Sequence, residues 1–451
     1  MLARLAGRVA GLARRDASVL LMTTVATAFV RLVSSVVLTR LLTPDVFGIV
    51  GIITTVIMFL TLMTDFGFQP FVVRHKHGDD PHFLNVIWTI HAVRGVVLAA
   101  VAAGSAGAVA WMLDKPALQV PLMVASATLL INGLASMSLI ALIRAGRVSA
   151  ISFFDFGMVV LQTVMTIVLA TILHSVWAII AAMILQSIVR AFLSYVLFRG
   201  SIRKPSWDLT IWEEFRPFSW IIMKSSALFL LVTQLDKVAL ARLLTLHDFG
   251  LYTVAASLST VPGLFAYAYG SRILYPRYAR ALREDADVAP EAYYADRRLI
   301  SRLYSFATGA LVTSAPALIG LLYDPRYAEA ARYLSILAVS GTLLLSNIAA
   351  NEYLTASGRV VSGLRANQLR VAWIACAGSL GYLLLGTLGV VFAIGFMEVV
   401  PLIYFWRVLR RQGVLDWRQE AIQLGASLLG LAAGSVISIG YFAASTLLLQ
   451  R

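Results

Sequence analysis

Thirteen apolar runs, each about twenty residues or longer, occupy most of this 451-residue sequence. They fall at 18–39, 46–73, 84–113, 117–143, 150–173, 175–198, 217–241, 249–274, 301–323, 332–356, 366–386, 388–408 and 420–448, with divisions at the glycine-bearing segment 386–390 and around His174. A bilayer core takes ~20 apolar residues per helix, and lipid leaves only helices or closed barrels to satisfy backbone groups. These runs are too long and too unalternating for barrel strands. The chain therefore reads as an all-α polytopic membrane protein. Charged residues are 13% of it, against about 25% in a soluble domain, which excludes soluble α/β enzymes, disordered chains and disulfide scaffolds. The single cysteine, Cys376, forms no intramolecular disulfide and is expected to pack in its apolar run.

The net charge of +14 has the sign of a nucleic-acid binder, but its placement says otherwise. With the N-terminus on the cytoplasmic side, 26 of the 37 Lys and Arg residues fall in cytoplasmic segments, six fall outside and five lie within spans. The inward set includes Arg297 and Arg370. That asymmetry is the positive-inside rule, so the basic excess orients the chain and nucleic acid is not expected as a partner. The first seventeen residues, MLARLAGRVAGLARRDA, read as a basic amphipathic arm on the membrane surface rather than a removed signal peptide.

Outward loops are short, and only the inward segments 199–216 and 275–300 are longer, both amphipathic in pattern. A membrane-embedded glycan polymerase or ligase would need a large outward loop carrying acidic residues or histidines. None exists, so an enzyme is not expected. No G-x-x-x-x-G-K-[ST] phosphate loop occurs, so ATP is not a partner.

Residues 38–50, LTRLLTPDVFGIV, recur at 240–252 as LARLLTLHDFGLY, with seven identities in thirteen at an offset of 202. Six spans separate the copies, an even number, so both halves enter the membrane in the same sense. A chance recurrence of a short turn is the other reading. A parallel repeat predicts two six-helix lobes in a 6+6 pseudo-twofold arrangement around a central cavity, as in transporters that rock.

The run RLVSSVVLTRLLTPDVFGIVGI, followed by TDFGFQPFVVRH, resembles the opening of the Wzx-type flippases of polysaccharide biosynthesis. These belong to the multidrug/oligosaccharidyl-lipid/polysaccharide transporter superfamily. QLDKVALARLLTLHDFGLYTVAASLSTVP, YPRYARALRED and LLYDPRYAEAARYLSILA extend the resemblance over roughly residues 20–410. It implies a V-shaped protein of the bacterial cytoplasmic (inner) membrane that moves a polyprenyl-diphosphate-linked glycan to the outer leaflet. Glycan polymerase and export machinery would be its partners. The expected organisation is a basic arm (1–17), an N-lobe (18–198), a cytoplasmic linker (199–216), a C-lobe (217–408) and a cytoplasmic loop with an extra C-terminal helix (409–451). That thirteenth helix departs from the family's twelve.

Ionisable residues at membrane depth are costly and mark pathways or partners. Thr24, Thr27, Arg31, Ser34 and Ser35 form one polar stripe on the first span. Arg31 there could hold a diphosphate bidentately, or pair with another helix. Asp65 and Arg94, on the second and third spans, are placed to pair with each other or to line a cavity. Lys224 either faces the cavity or snorkels to the interface; Asp155 and Arg190 read as interfacial. On the tenth span, Ser340, Asn347, Asn351 and Thr355 suit sugar hydroxyls, and Glu352 reads as solvated. Tyr252, Tyr267 and Tyr269 serve either sugar stacking or packing. Arg31, Ser34, Ser35, Asp65, Arg94, Lys224, Asn347 and Asn351 are the candidate substrate-cavity residues. Glu398 has no obvious partner, and with Asp65 and Asp236 it is a candidate for coupling to a proton or monovalent cation. His75, His77 and His82 read as hydrated loop residues rather than metal ligands; no other cofactor is expected.

A lipid-linked oligosaccharide flippase working by alternating access is the leading expectation. A cation- or proton-coupled drug exporter of the same superfamily is the alternative, but Arg31 and Arg94 favour an anionic headgroup. A polymerase or ligase lacks its loop, and a scaffold would not need polar stripes on several helices.

Overall fold

The computed structural model describes residues 2–145, 147–197, 204–284, 290–295, 297–359 and 361–449. Among them the chain is helical with no strand, in two compact units, Met1–Arg242 and Leu243–Arg451. Unit 1 holds α1 (Leu2–Leu41), α2 (Pro44–Met63), α3 (Phe68–Arg74), α4 (Pro81–Leu113), α5 (Gln119–Ala125), α6 (Ala127–Gly133), α7 (Ser138–Arg144), α8 (Val148–Leu173), α9 (Val176–Val196) and all but the last residue of α10 (Leu209–Leu243). Unit 2 holds α11 (Leu246–Ser259), α12 (Val261–Tyr269), α13 (Tyr275–Glu284), α14 (Pro290–Ala295), α15 (Arg298–Leu322), α16 (Ala330–Ala356), α17 (Val361–Leu385), α18 (Thr387–Gly395), α19 (Val399–Arg411) and α20 (Trp417–Leu449).

Among the described residues twelve segments are long and apolar enough to cross a membrane, and α10 adds a thirteenth if its 51° bend lies within one span. The divisions at His174 and at Gly386 fall where expected, each at a positive φ, +46° and +63°. The repeated R-L-L-T motif has a local meaning: each copy closes one helix and places a threonine, Thr43 or Thr245, at the next N-cap. Thr245 Oγ1 accepts the Asp248 amide at 3.1 Å, covering one of the donors that a helix start leaves open.

Several expectations change. The arm at 1–17 belongs to the same helix as the first span, and its side chains lie outside those described. The expected linker 199–216 is partly α10, whose helix starts at Leu209; residues 199–203 lie outside the described set. The fourth span is not one helix over 117–143. It breaks after Gly133, where Ser194 Oγ accepts the Ser136 amide at 2.9 Å and Ser138 Oγ donates to the Ser194 carbonyl at 2.7 Å. Cys376 is exposed rather than packed.

Two kinds of contact hold the units. Aromatic clusters fill unit 1 around Phe68, Phe71, Phe83 and Phe215, and unit 2 around Tyr278, Tyr293, Tyr294 and Tyr353. Small residues elsewhere let helices meet backbone to backbone, as membrane packing without a hydrophobic drive requires. Along α15 and α20 a Cβ at Gly430 would lie 2.1 Å from the Phe306 carbonyl oxygen. Thr313 Oγ1 donates to the Leu431 carbonyl and Ser438 Oγ to the Thr313 carbonyl, both at 2.7 Å. The extra C-terminal helix is thus an integral wall of unit 2.

Candidate functional site

In unit 1 the span Pro44–Arg74 is interrupted between α2 and α3, at Thr64–Gly67. The break is built locally. Asp65 Oδ1 accepts the Gly67 amide at 3.0 Å, a short acidic turn, and Gly67 takes φ +68°. A Cβ on Gly67 would lie 2.8 Å from Ile222 Cγ1, so only glycine lets α10 approach here. Ending α2 inside the membrane orphans its last carbonyls, each costing several kcal/mol in lipid if left bare. Arg94 of α4 covers them: Nε donates to the Thr64 carbonyl at 2.6 Å and to Thr64 Oγ1 at 3.2 Å, and Nη2 donates to the Thr61 carbonyl at 2.8 Å.

The expected Asp65–Arg94 pair is therefore replaced by separate tasks. The guanidinium fork takes the orphaned carbonyls, and the other Asp65 oxygen, Oδ2, accepts from Ser226 Oγ of α10 at 2.8 Å. Lys224, two residues earlier, is exposed, with Nζ 5.3 Å from the Trp220 ring centroid. The break thus gathers Asp65 and Arg94 and lies beside Lys224's helix. Arg31 stands apart on α1, which packs along α8. It is exposed, and among the described residues no hydrogen bond or ion pair joins it to the break. Ser34 and Ser35 are half-buried on the same helix. Asp155 and Arg190 form an ion pair at 2.8 Å. His75 and His82 bind carboxylates of α10 and its N-terminal flank, Glu214 at 3.0 Å and Asp208 at 3.2 Å.

Unit 2 carries a second interrupted span, Thr387–Arg411, opened between α18 and α19. Glu398 sits at the break, 3% exposed, and it has partners after all. Arg370 of α17 grips it at both oxygens, and Asn347 Nδ2 donates to Glu398 Oε2 at 2.6 Å and to its carbonyl at 2.9 Å. Arg370 Nη1 also donates to Asn367 Oδ1 at 2.7 Å. Asn347 is 1% exposed and holds this carboxylate, while Asn351, half-buried, presses its Oδ1 against Gly363. Asp236 is half-buried on α10 of unit 1, and its neighbour Lys237 reaches Gln234 Oε1 at 3.4 Å. Of the tyrosines, Tyr252 is fully buried in packing and Tyr267 is 60% exposed.

Arg370, one of the inward charges by sequence, lies within the 366–386 run and is a buried partner rather than a topology signal. Arg297, counted the same way, is also buried. Its Nη2 pairs with Glu420 and its Nη1 donates to Tyr293 Oη at 3.1 Å. Tyr294 Oη and Trp406 Nε1 donate to the same carboxylate at 2.8 and 3.1 Å. Burial, and then Glu420, push the Tyr294 phenol well above its ordinary range, so it remains a donor. This network fastens the start of α20 to the core.

The fold is that of known membrane transporters. A lipid II flippase, MurJ, in an inward closed conformation superposes with TM-score 0.70 over 96% of this chain and 99% of that one, at 10% identity. An inward-facing multidrug resistance MATE transporter of the MOP superfamily gives 0.62 over 90% and 99%, at 16% identity. A two-lobed six-plus-six helical architecture agrees with that fold. In sequence, the chain is 22% identical over 309 residues to the succinoglycan biosynthesis transport protein ExoT of Rhizobium meliloti (strain 1021). That match covers 68% of this chain, which spans about three fifths (62%) of the length of the curated relative. The residues from 37 to 332, which take in both copies of the R-L-L-T motif and the Asp65 break, match the family described as polysaccharide biosynthesis protein, and the chain belongs to that family.

Proposed function

We propose that this chain is a flippase that carries a polyprenyl-diphosphate-linked oligosaccharide from the cytoplasmic to the outer leaflet by alternating access. The observation that carries the reading is the interrupted span at Thr64–Gly67, with Arg94 on its carbonyls and Asp65 tied to α10. Irregular backbone at membrane depth is tolerated where it is buried in protein or lines a cavity, and in transporters broken helices point to the binding site. Arg31, exposed within a span, supplies a guanidinium with the fork that a diphosphate matches. Membership of a polysaccharide biosynthesis family and the fold shared with a lipid II flippase support the same substrate class.

In this reading the chain is a transporter rather than an enzyme, sits in the inner membrane with its N-terminus cytoplasmic, and hands glycan to polymerase and export machinery. Asp65 and Asp236 are the residues proposed for coupling to a proton or monovalent cation. Glu398, already neutralised by the bidentate Arg370 guanidinium, would not serve. Depleting the protein and assaying the leaflet position of the lipid-linked glycan tests the proposal. Build-up on the cytoplasmic leaflet is expected. Unchanged glycan export with altered drug tolerance would instead identify a drug exporter.

A further inference from the structure

Beside the unit 1 break lies a cleft of about 560 Å³ that none of the residues singled out from sequence occupies. Phe66, from the break itself, forms one wall; Trp212, Trp220 and Met223 of α10 form much of the rest, and Arg216 and Ser219 are its polar members. The α10 residues recur at i, i+4, i+7, i+8 and i+11, one helix face. The volume is that of a ligand pocket (~300–1,000 Å³).

Two features say what it takes. Ser219 is 7% exposed, lines the cleft, and its Oγ has no hydrogen-bond partner among the described residues. Native interiors rarely leave such a group bare, and a turn about χ1 would bring this buried hydroxyl to an acceptor in the cleft. The cations are on the same face: Arg216 borders the cleft, and Lys224 lies over Trp220 at its edge. Trp220 and its neighbour Ile221 are 55% and 67% exposed, so the cleft opens where a span shows apolar surface. An anionic amphiphile with an apolar chain answers all of these. A prenyl diphosphate carries its phosphates directly at the end of one chain, whereas a glycerophospholipid spreads two chains from a glycerol.

We propose that this cleft seats the phosphate-proximal prenyl units of a prenyl diphosphate lipid. The aromatic walls take the isoprene chain. The Ser219 hydroxyl, turned about χ1 into the cleft, donates to the phosphate, and Arg216 and Lys224 neutralise it. Assigning that lipid as the transported substrate rests on the flippase reading above.

The test uses the full chain in phosphatidylcholine nanodiscs and a diazirine-bearing farnesyl diphosphate as photoprobe. Label is expected within residues 212–223 and should fall at least tenfold under excess geranylgeranyl diphosphate. Met223→Trp, which fills the cleft, and Ser219→Ala, which removes only the hydroxyl, are each expected to cut labelling about tenfold while unfolding temperature holds. Labelling that persists in both variants overturns the proposal. So does equal competition by phosphatidylglycerol or by an uncharged prenol, which would mean general lipid contact. If labelling behaves as expected but the leaflet assay finds no glycan movement, the prenyl diphosphate site stands and the flippase reading falls. If transport is unaffected in a variant whose labelling is lost, the site does not serve the transported lipid.

Discussion

Arg370 holds Glu398 through two parallel hydrogen bonds, Nε to Oε1 at 3.0 Å and Nη2 to Oε2 at 2.7 Å, with both side chains largely buried. Such a pair is harmful to break and cheap to replace whole, because the loss of one partner leaves a bare charge inside. Arg370→Met should destabilise the protein by about 3–5 kcal/mol, read as a lowered unfolding temperature in detergent. Arg370→Met combined with Glu398→Leu should recover most of it. Equal loss in single and double variants would contradict the pairing.

Arg94 does different work, closing the open end of α2. Arg94→Lys keeps the charge but loses the planar fork that reaches Thr64 and Thr61 together. One buried carbonyl left without a donor costs ~1–3 kcal/mol. The expected result is a stability loss of that size and weakened transport, whereas a variant of unchanged stability would show that water covers the carbonyl equally well.

Arg31 should behave in the opposite way. It is exposed and joined to no partner among the described residues, so Arg31→Ala should leave stability within about 0.5 kcal/mol while glycan translocation falls by tenfold or more. Full translocation at verified membrane expression would remove Arg31 from the proposed path.

The spans and the divisions at His174 and Gly386 were legible because apolar length and turn residues are local properties. The interruptions at Thr64–Gly67 and at Glu398 were not, since each lies inside an apolar run that hydropathy reads straight through. Spacing brought Asp65 and Arg94 to the same region but could not show the hydrogen bonds each makes there. The carbonyls that Arg94 covers lack a helical donor only because α2 stops there. Arg297 and Arg370 were misplaced for a related reason: counting basic residues near span ends treats every arginine as a topology signal, buried or not.

The first turn of α4 should respond to acid through its contact with α10's N-terminal flank. His82, and then the Thr210 and Ile211 amides, hold the Asp208 carboxylate below the ordinary aspartate value of 3.8. A depressed carboxylate stabilises the folded form fully above that ordinary value and stops doing so as pH falls through the lower one. Amide exchange at Thr210 and Ile211, corrected for intrinsic rates, should therefore stay slow until below pH 3.8 and then accelerate. Asp208→Asn should remove the transition; an unchanged profile in that variant would assign it elsewhere.

The contact between α15 and α20 has no room for a side chain at position 430. Gly430→Val should cost about 1–3 kcal/mol, the range for overpacked interiors, and should separate Thr313 from Leu431. Increased protease sensitivity after residue 411 would report the parting. Intact protease resistance with unchanged unfolding temperature would contradict it.

That same contact sets an order of events during synthesis. α15 emerges with Ser305 and Thr313 awaiting partners on a helix made later. At translation speeds of ~5–20 residues per second, several seconds or more pass before Gln423 and Leu431 arrive. During that interval α15 presents a polar seam to the bilayer. Completion of α20 is therefore the step that closes this seam and leaves the two helices mated.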